Sequence, residues 1–454
     1  MTKTKKRSYE IDMCNGPILG KMLIFALPLM CSGVLQLFFN AADIIVVGRF
    51  AGDHALAAVG STSSLINLFV NFFMGLSVGA NVLVARFYGG KQERALQETV
   101  HTAITISLVS GVVLAIVGTI FAPVVLGWMD VPKEVLPLST TYLRVYFLGM
   151  PAMMLYNFGA AILRSVGDTK RPLIYLIIAG VINVTLNLFF VIVLHWSVFG
   201  VAMATTISQV VSAILVLRCL MKEQSSIRVE LKKLGFNKDK LKKIVQLGLP
   251  AGLQSVLFSF SNVLIQSSVN SFGATVVAGN SAASNIEGFV YIAMNAFYQA
   301  NLSFTSQNLG AGKFKRIDRI LVIGEACVVV VGIIFGGASY LFGPYLLRLY
   351  TNSSDVIAAG MIRLAFIGLL YAFCGVMEVL VGSLRGLGHT VFPMIVSLIG
   401  SCVLRVVWLQ TVFKIEAFHK IETVYVIYVI SWIVTAIAHF ITYMVVRRKF
   451  IKKK

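Results

Sequence analysis

The sequence is short of charge, and shortest of acid. Only 13% of its 454 residues are Asp, Glu, Lys or Arg, with 19 acidic against 39 basic side chains. A soluble chain of this size needs a charged surface, so an ordinary soluble globular protein is excluded. Cysteine is scarce and scattered. The six (Cys14, Cys31, Cys219, Cys327, Cys374, Cys402) form no CxxC and no Cys/His cluster, and none falls in an expected external loop. A disulfide framework and a structural zinc site are therefore not expected. Strict alternation of apolar and polar residues is missing, which excludes a transmembrane barrel. A nucleotide site is missing too. "GAGK" at 310–313 ends like a P-loop, but Gln307 stands for its first glycine, Phe314 follows the lysine and no strand precedes it. No nucleophile–base pair or metal set points to an enzyme, and no cofactor is expected.

Apolar length is what the chain has. Hydrophobic residues make up 57% and the mean hydropathy is +0.85. A membrane-spanning helix needs about 20 apolar residues to cover roughly 30 Å. Twelve stretches qualify: 22–48, 55–85, 97–123, 136–163, 173–195, 198–221, 244–272, 275–305, 317–345, 358–384, 391–413 and 424–446. The net charge of +20 is not spread as a nucleic-acid surface would need. With the tail Lys3–Arg7 placed inside, the inner segments also hold Arg86–Arg94, Arg164–Arg171, Arg218–Lys243, Lys313–Arg319, Arg385 and Arg447–Lys454. By this count about 31 of the 39 basic residues lie inside, as the positive-inside rule requires. The expectation is a multi-pass protein of the cell membrane with both termini cytoplasmic, partnered by the lipid bilayer and by no nucleic acid. The first span is too long for a signal-peptide core and is expected to be retained.

The chain also repeats. Shifted by 220–222 residues, "LP" at 27–28 meets "LP" at 249–250, Asn40 meets Asn262, and Phe50 meets Phe272. "ANVLVARFYGGK" (80–91) meets "ANLSFTSQNLGAGK" (300–313), and "LRSVGDTKRP" (163–172) meets "LRGLGHTVFP" (384–393). Six spans per repeat is an even number, so both halves enter the membrane in the same sense, an arrangement common in transporters. The fold class expected is an all-α polytopic membrane protein. Its twelve transmembrane helices form two six-helix lobes, 1–221 and 244–454, related by a parallel repeat with a pseudo-two-fold along the membrane normal. The basic linker 222–243 joins them as an amphipathic helix or loop.

Acids inside spans are the natural handles for a coupling ion. There are four: Asp43, Glu287, Glu325 and Glu378. Asp43 lies about 9 Å below Arg49 at the outer end of the first span. Asn183 and Asn187 are i,i+4 on the fifth span and share a face. Asn187 and Thr205 lie at a depth comparable to that of Asp43, while Gln36 and Asn40 share its stripe at i−7 and i−3. These residues could surround one cation or hold one protonatable carboxyl. The plainer alternative is that Asp43 caps a neighbouring helix or pairs with Arg49. Pro28 in the same helix removes a backbone hydrogen bond and permits a bend. In the second half the counterpart of Asp43 is Ile265, so the site is confined to one lobe. There Arg405 is read as the only deep base, with Glu287 or Glu378 as its partner, in a structural pair or as substrate handles. Glu325 is expected to snorkel to the inner face. Candidate substrate-cavity residues are Met150, Met153, Met154 and Tyr156 in the first half, and Met294, Phe297 and Tyr298 in the second. Aromatic faces and methionines suit organic cations.

The chain resembles the multidrug and toxic compound extrusion (MATE) transporters. The likeness runs over roughly 15–447 and is carried by "ADIIVVGRFAG", "LRSVGDTKRP", "INVTLNLFF", "GVAMATTISQ" and "SQNLGAGK" in order. It implies two lobes forming a V around a central cavity, and export of small organic compounds driven by Na+ or H+ entry. It implies that Asp43 is the cation-responsive residue, assisted by positions matching Asn183, Asn187 and Thr205. Many relatives carry Asp where this chain has Asn187. Losing that carboxylate weakens the case for sodium and leaves one proton acceptor, so the lean is to H+. Function is thus expected to be antiport of amphipathic, cationic drugs or dyes by a monomer. The alternative is a flippase for lipid-linked precursors, which would need several basic residues in its cavity to hold pyrophosphate.

Overall fold

The computed structural model describes residues 9–451; the expected inner tails Lys3–Arg7 and Lys452–Lys454 lie outside the described residues. Among the described residues there is no strand. In lipid every backbone amide must be satisfied within its own segment, and the helix achieves this.

The first half contains α1 (Ile18–Phe50), α2 (Asp53–Gly89), α3 (Glu93–Trp128), α4 (Leu136–Leu148), α5 (Met150–Ser165), α6 (Lys170–Leu188) and α7 (Ser197–Lys222). The second contains α8 (Lys238–Asn270), α9 (Ala274–Gly310), α10 (Phe314–Leu341), α11 (Gly343–Arg348), α12 (Ser354–Arg363), α13 (Ala372–Gly386), α14 (Val391–Ser397), α15 (Leu404–Gln410) and α16 (Ile421–Ile451). Among the described residues nine helices, counting those continued through π-helical turns, are long and apolar enough to cross a membrane. Two more spans are broken: α4 and α5 meet at 46°, and the stretch Ser354–Gly368 meets α13 at 43°. The twelfth expected span is α9. Its 37 residues are long enough, but Asn280, Glu287, Asn295 and Gln299 leave it too polar to register as a plain lipid-facing helix.

The repeat is written into the backbone. α1 and α8 each have 33 residues, and α2 and α9 each have 37. Left-handed backbone recurs at pairs 221 residues apart: Gly52 with Gly273, Lys91 with Gly312, and Gly167 with Gly388. The first pair forms the turns from α1 to α2 and from α8 to α9, where a positive φ of 86° and 90° favours glycine.

By contact the chain groups into two compact units. One comprises the described residues through Asp12 with Cys31–Gly248, the other Met13–Met30 with Leu249 onward. Each long leading helix is thus shared. α1 changes units just after Pro28, and α8 just before Pro250, the prolines inside these helices. The linker 222–243 is mostly irregular, with a 3-10 turn at Leu231–Lys233 before α8 begins. It is pinned to the first unit. Ile227 and Val229 are buried, the Glu230 amide donates to His101 Nε2 at 3.0 Å, and the Asn237 amide donates to Thr102 Oγ1 at 3.2 Å.

Candidate functional site

α1 and α6 approach closely because Gly180 has no side chain: a Cβ there would overlap the ring of Phe39. One turn beyond Phe39 on α1 is Asp43, and one and two turns beyond Gly180 on α6 are Asn183 and Asn187. The contact therefore brings the three together. Thr205 on α7 donates its hydroxyl proton to the Val201 carbonyl at 3.0 Å, so it can only accept from a neighbour. Asn183 Nδ2 donates to it at 3.3 Å, which turns Asn183 Oδ1 toward Asn187. Asn187 Nδ2 then donates both to Asn183 Oδ1, at 3.4 Å, and to Asp43 Oδ1. The amide orientations follow from this donor order. One atom is left over: Asn187 Oδ1 is buried and has no hydrogen-bond partner.

Four of the expected residues, Asp43, Asn183, Asn187 and Thr205, thus form one chain of hydrogen bonds. Gln36 and Asn40 do not join it. Both are exposed, two turns and one turn before Asp43 along α1, and bond neither Asp43 nor Asn187. Three neighbours were missed. Tyr142 and Tyr146 on α4 lie within electrostatic range of Asp43, their rings stacked at 6.3 Å, and Gln209 on α7 bonds Tyr146. Gln209 was within reach of sequence reasoning, being i+4 from Thr205. The tyrosines were not, since an aromatic in an apolar helix carries no signature of its own.

The other cavity candidates fall inside helix packing. Met150, Met153 and Met154 are buried, the first two in the core formed with Val145 and Phe147. Tyr156 donates to the Pro172 carbonyl at 3.1 Å. In the second unit Met294 and Phe297 are buried, and Tyr298 accepts from Arg385.

The second unit corrects the expected pairing. Glu287 binds not Arg405 but Arg363, through contacts of 2.7, 3.1 and 3.2 Å. Arg363 also donates to Asn280 Oδ1 at 2.7 Å, and Tyr425 donates to that same oxygen at 3.2 Å. Arg405 is not the only deep base: Arg363 and Arg385 are buried as well. The reason is that α12 runs alongside α9, so a residue near the start of the tenth span faces the polar stripe of the eighth. Arg385 donates to Tyr298 and, at 2.9 Å, to Gln254. Glu325 does not snorkel. Among the described residues both its carboxyl oxygens are buried without a hydrogen-bond partner, turned into the helix packing.

Three π-helical turns adjoin these residues: Phe189–Val193 follows Asn187 by two residues, Leu364–Gly368 follows Arg363, and Leu398–Val403 ends two residues before Arg405. A π turn rotates the helix face by an extra residue and is frequent at functional sites. Among the described residues no group of three His, Cys, Asp or Glu side chains could hold a metal.

Comparison with known proteins bears on the family and the fold. The MatE family model matches residues 28–189 and again 250–409, once in each half. The chain is 29% identical over 385 residues to the probable multidrug resistance protein YoeA of Bacillus subtilis, covering 83% of each. It is 22% identical over 374 residues to the multidrug export protein MepA of Staphylococcus aureus, covering 80% of this chain and 82% of that one. Its fold matches a solved outward-facing multidrug resistance MATE family transporter with a TM-score of 0.91 at 22% identity, covering 99% and 100%. A transporter from Pyrococcus furiosus, described as having a binding pocket of reverse polarity, matches equally, with a TM-score of 0.91 at 22% identity over the full length of both chains. The chain is a multi-pass membrane transporter, not an enzyme, and belongs to the MATE multidrug efflux family.

Proposed function

We propose that this chain is a secondary active antiporter of the cell membrane, working as a single chain with cytoplasmic termini. It exports amphipathic organic compounds in exchange for H+ at Asp43. The carrying observation is the pairing of Asp43 with Asn187, whose Oδ1 is buried and unpartnered. An ionised carboxylate can only accept, and it accepts from Asn187 Nδ2. A proton arriving on Asp43 gives it an O–H that can donate to Asn187 Oδ1. The acid and the amide then close a two-bond ring and every buried atom is satisfied. The same proton removes the negative charge that a cationic cargo would use as counter-ion. Proton binding and cargo binding are thereby made mutually exclusive, so that proton entry goes with cargo release.

Sodium is the competing driver. It would find one carboxylate and the amide oxygen of Asn187, a thin set for a hard cation. The flippase reading is not favoured. Its pyrophosphate would need several free bases, and Arg363 and Arg385 are already engaged.

The test is ethidium efflux from membrane vesicles under separately imposed proton and sodium gradients, comparing wild type with Asp43→Asn. Proton-driven efflux lost in the variant is expected. Equal efflux in both proteins would remove Asp43 from the mechanism, and efflux driven only by sodium would overturn the choice of ion.

A further inference from the structure

We propose that Arg405 is a preformed binding site for an oxyanion, the carboxylate or phosphate of the exported cargo, so that the preferred substrates are zwitterions rather than plain cations.

Arg405 is 3% exposed and lies on α15, within a membrane-spanning segment. A guanidinium keeps its charge at any physiological pH, and a charge held within the bilayer normally has a partner. Arg363 obeys this rule through Glu287, and Arg385 has Tyr298 and Gln254 on its terminal nitrogens with the charge of Glu378 in range. Arg405 does not. Its Nε donates to Ser431 Oγ at 2.9 Å, and its plane lies 4.4 Å from the ring centroid of Tyr428. Neither terminal nitrogen has an acceptor, and among the described residues no carboxylate pairs with it.

The group is also held in place. Ser431 donates its own proton to the Tyr428 carbonyl at 2.7 Å, so the hydroxyl lone pair that receives Nε cannot turn away. Nε and the aromatic face fix one side of the fork. The two Nη groups remain as an open, parallel pair, the geometry that grips carboxylate or phosphate bidentately.

The surroundings are accessible. Tyr428, Tyr371 and Glu378 are half-buried, and Tyr291 is exposed. A face carrying a carboxylate and tyrosines does not meet lipid tails but water within the membrane. Glu378 makes no hydrogen bond or close ion pair among the described residues; the charge within its electrostatic range is that of Arg385. The Cys374 thiol lies in electrostatic range of both Glu378 and Arg405, so acid and base sit on one patch without neutralising each other. A cargo with one negative and one positive group around an aromatic body would satisfy both.

The inference rests on the efflux reading for the identity of its cargo. Binding, however, is measured without a gradient, so a failure to transport would count against that reading and not this one. The probes are rhodamine B, a zwitterion with a free carboxylate, and its ethyl ester, a cation with the same ring system. Fluorescence anisotropy with purified protein in neutral detergent, blanked against empty micelles, gives their affinities. Wild type is expected to bind the acid more tightly than the ester. Arg405→Met is expected to weaken the acid by about 10- to 100-fold, as loss of charged hydrogen bonds implies, and to leave the ester unchanged. Arg405→Lys keeps the charge but not the fork and should fall between. Ser431→Ala guards against misfolding of the arginine variants: it keeps the guanidinium but frees Nε, and should weaken the acid alone. Equal wild-type affinity for both dyes, or equal losses for both in Arg405→Met, would overturn the proposal. So would displacement of the acid by phosphatidylglycerol at stoichiometric levels, which would assign the site to a lipid headgroup.

Discussion

Removing Arg363 should damage this protein more than removing Arg363 and Glu287 together. Glu287 is 3% exposed and takes three contacts of 2.7–3.2 Å from the guanidinium. Arg363→Met leaves that carboxylate inside the second unit with no counter-charge, and it strips Asn280 of its 2.7 Å donor. Breaking a buried pair from one side costs about 3–5 kcal/mol. Replacing both members with neutral groups is often close to neutral, because the desolvation of two charges is removed along with their attraction. Arg363→Met is therefore expected to unfold at a clearly lower temperature, and Glu287→Gln/Arg363→Met to recover most of the loss. For units of roughly 200 residues each kcal/mol shifts the midpoint by about 2–4 °C, so a deficit of at least ~6 °C is expected in the single variant. The assay is thermal unfolding of detergent-purified protein at one fixed scan rate, since such proteins unfold irreversibly. A double variant no more stable than Arg363→Met would show that the pair is not the origin of the loss. An Arg363→Met protein as stable as wild type would refute the burial argument outright.

Asn187→Asp supplies a second carboxylate beside Asp43 and should make efflux respond to a sodium gradient; vesicle efflux under sodium alone measures it, and a persistently sodium-blind variant would count against a shared ion site. Gly180→Leu fills the space occupied by the Phe39 ring. It should separate α1 from α6 and abolish gradient-driven efflux while the protein still inserts, and undiminished efflux would show that the Asp43–Asn187 contact is dispensable. At the end of the first unit expected to face the cytoplasm, Arg171 donates to both Asp168 and Glu223. Arg171→Met strands two buried carboxylates and should lower the thermal midpoint, with Arg171→Met/Glu223→Gln partly restoring it; identical midpoints in the two variants would argue that Glu223 is not held by that arginine.

Much of the architecture was legible because lipid leaves so few choices. Length and apolarity marked the helices and gave their number, and the alternation of basic residues agreed with it. Even α9, polar in part, was counted among the apolar stretches, as 275–305, because its length carries it past its few polar residues. The hydrogen-bonded group around Asp43 was legible where side-chain chemistry is unusual for its surroundings: a lone acid in α1, and two asparagines a turn apart in α6. It failed where position depends on backbone detail. Arg363 was passed over because nothing in the sequence reveals which face of a π-turned helix points inward, and Arg405 was matched to the wrong acid for the same reason. Gln36 and Asn40 share a stripe with Asp43, but a stripe does not say how far along a helix its neighbour remains in contact.

The exchange of leading segments between the two units has a consequence for how the chain is made. Met13–Met30 leaves the ribosome before the spans that follow it, yet it belongs with helices synthesised after residue 248. The second unit must therefore wait for most of the translation time with one of its own segments already in the membrane. The reverse loan, residues up to Gly248 packing with the first unit, means that this unit is not complete when the sixth span emerges. A cut in the basic linker would yield two fragments, each holding a segment that belongs to the other. Neither fragment contains all the parts of a finished bundle, and a gene-splitting or half-transporter strategy would have to place its breaks near residues 30 and 248 rather than in the linker.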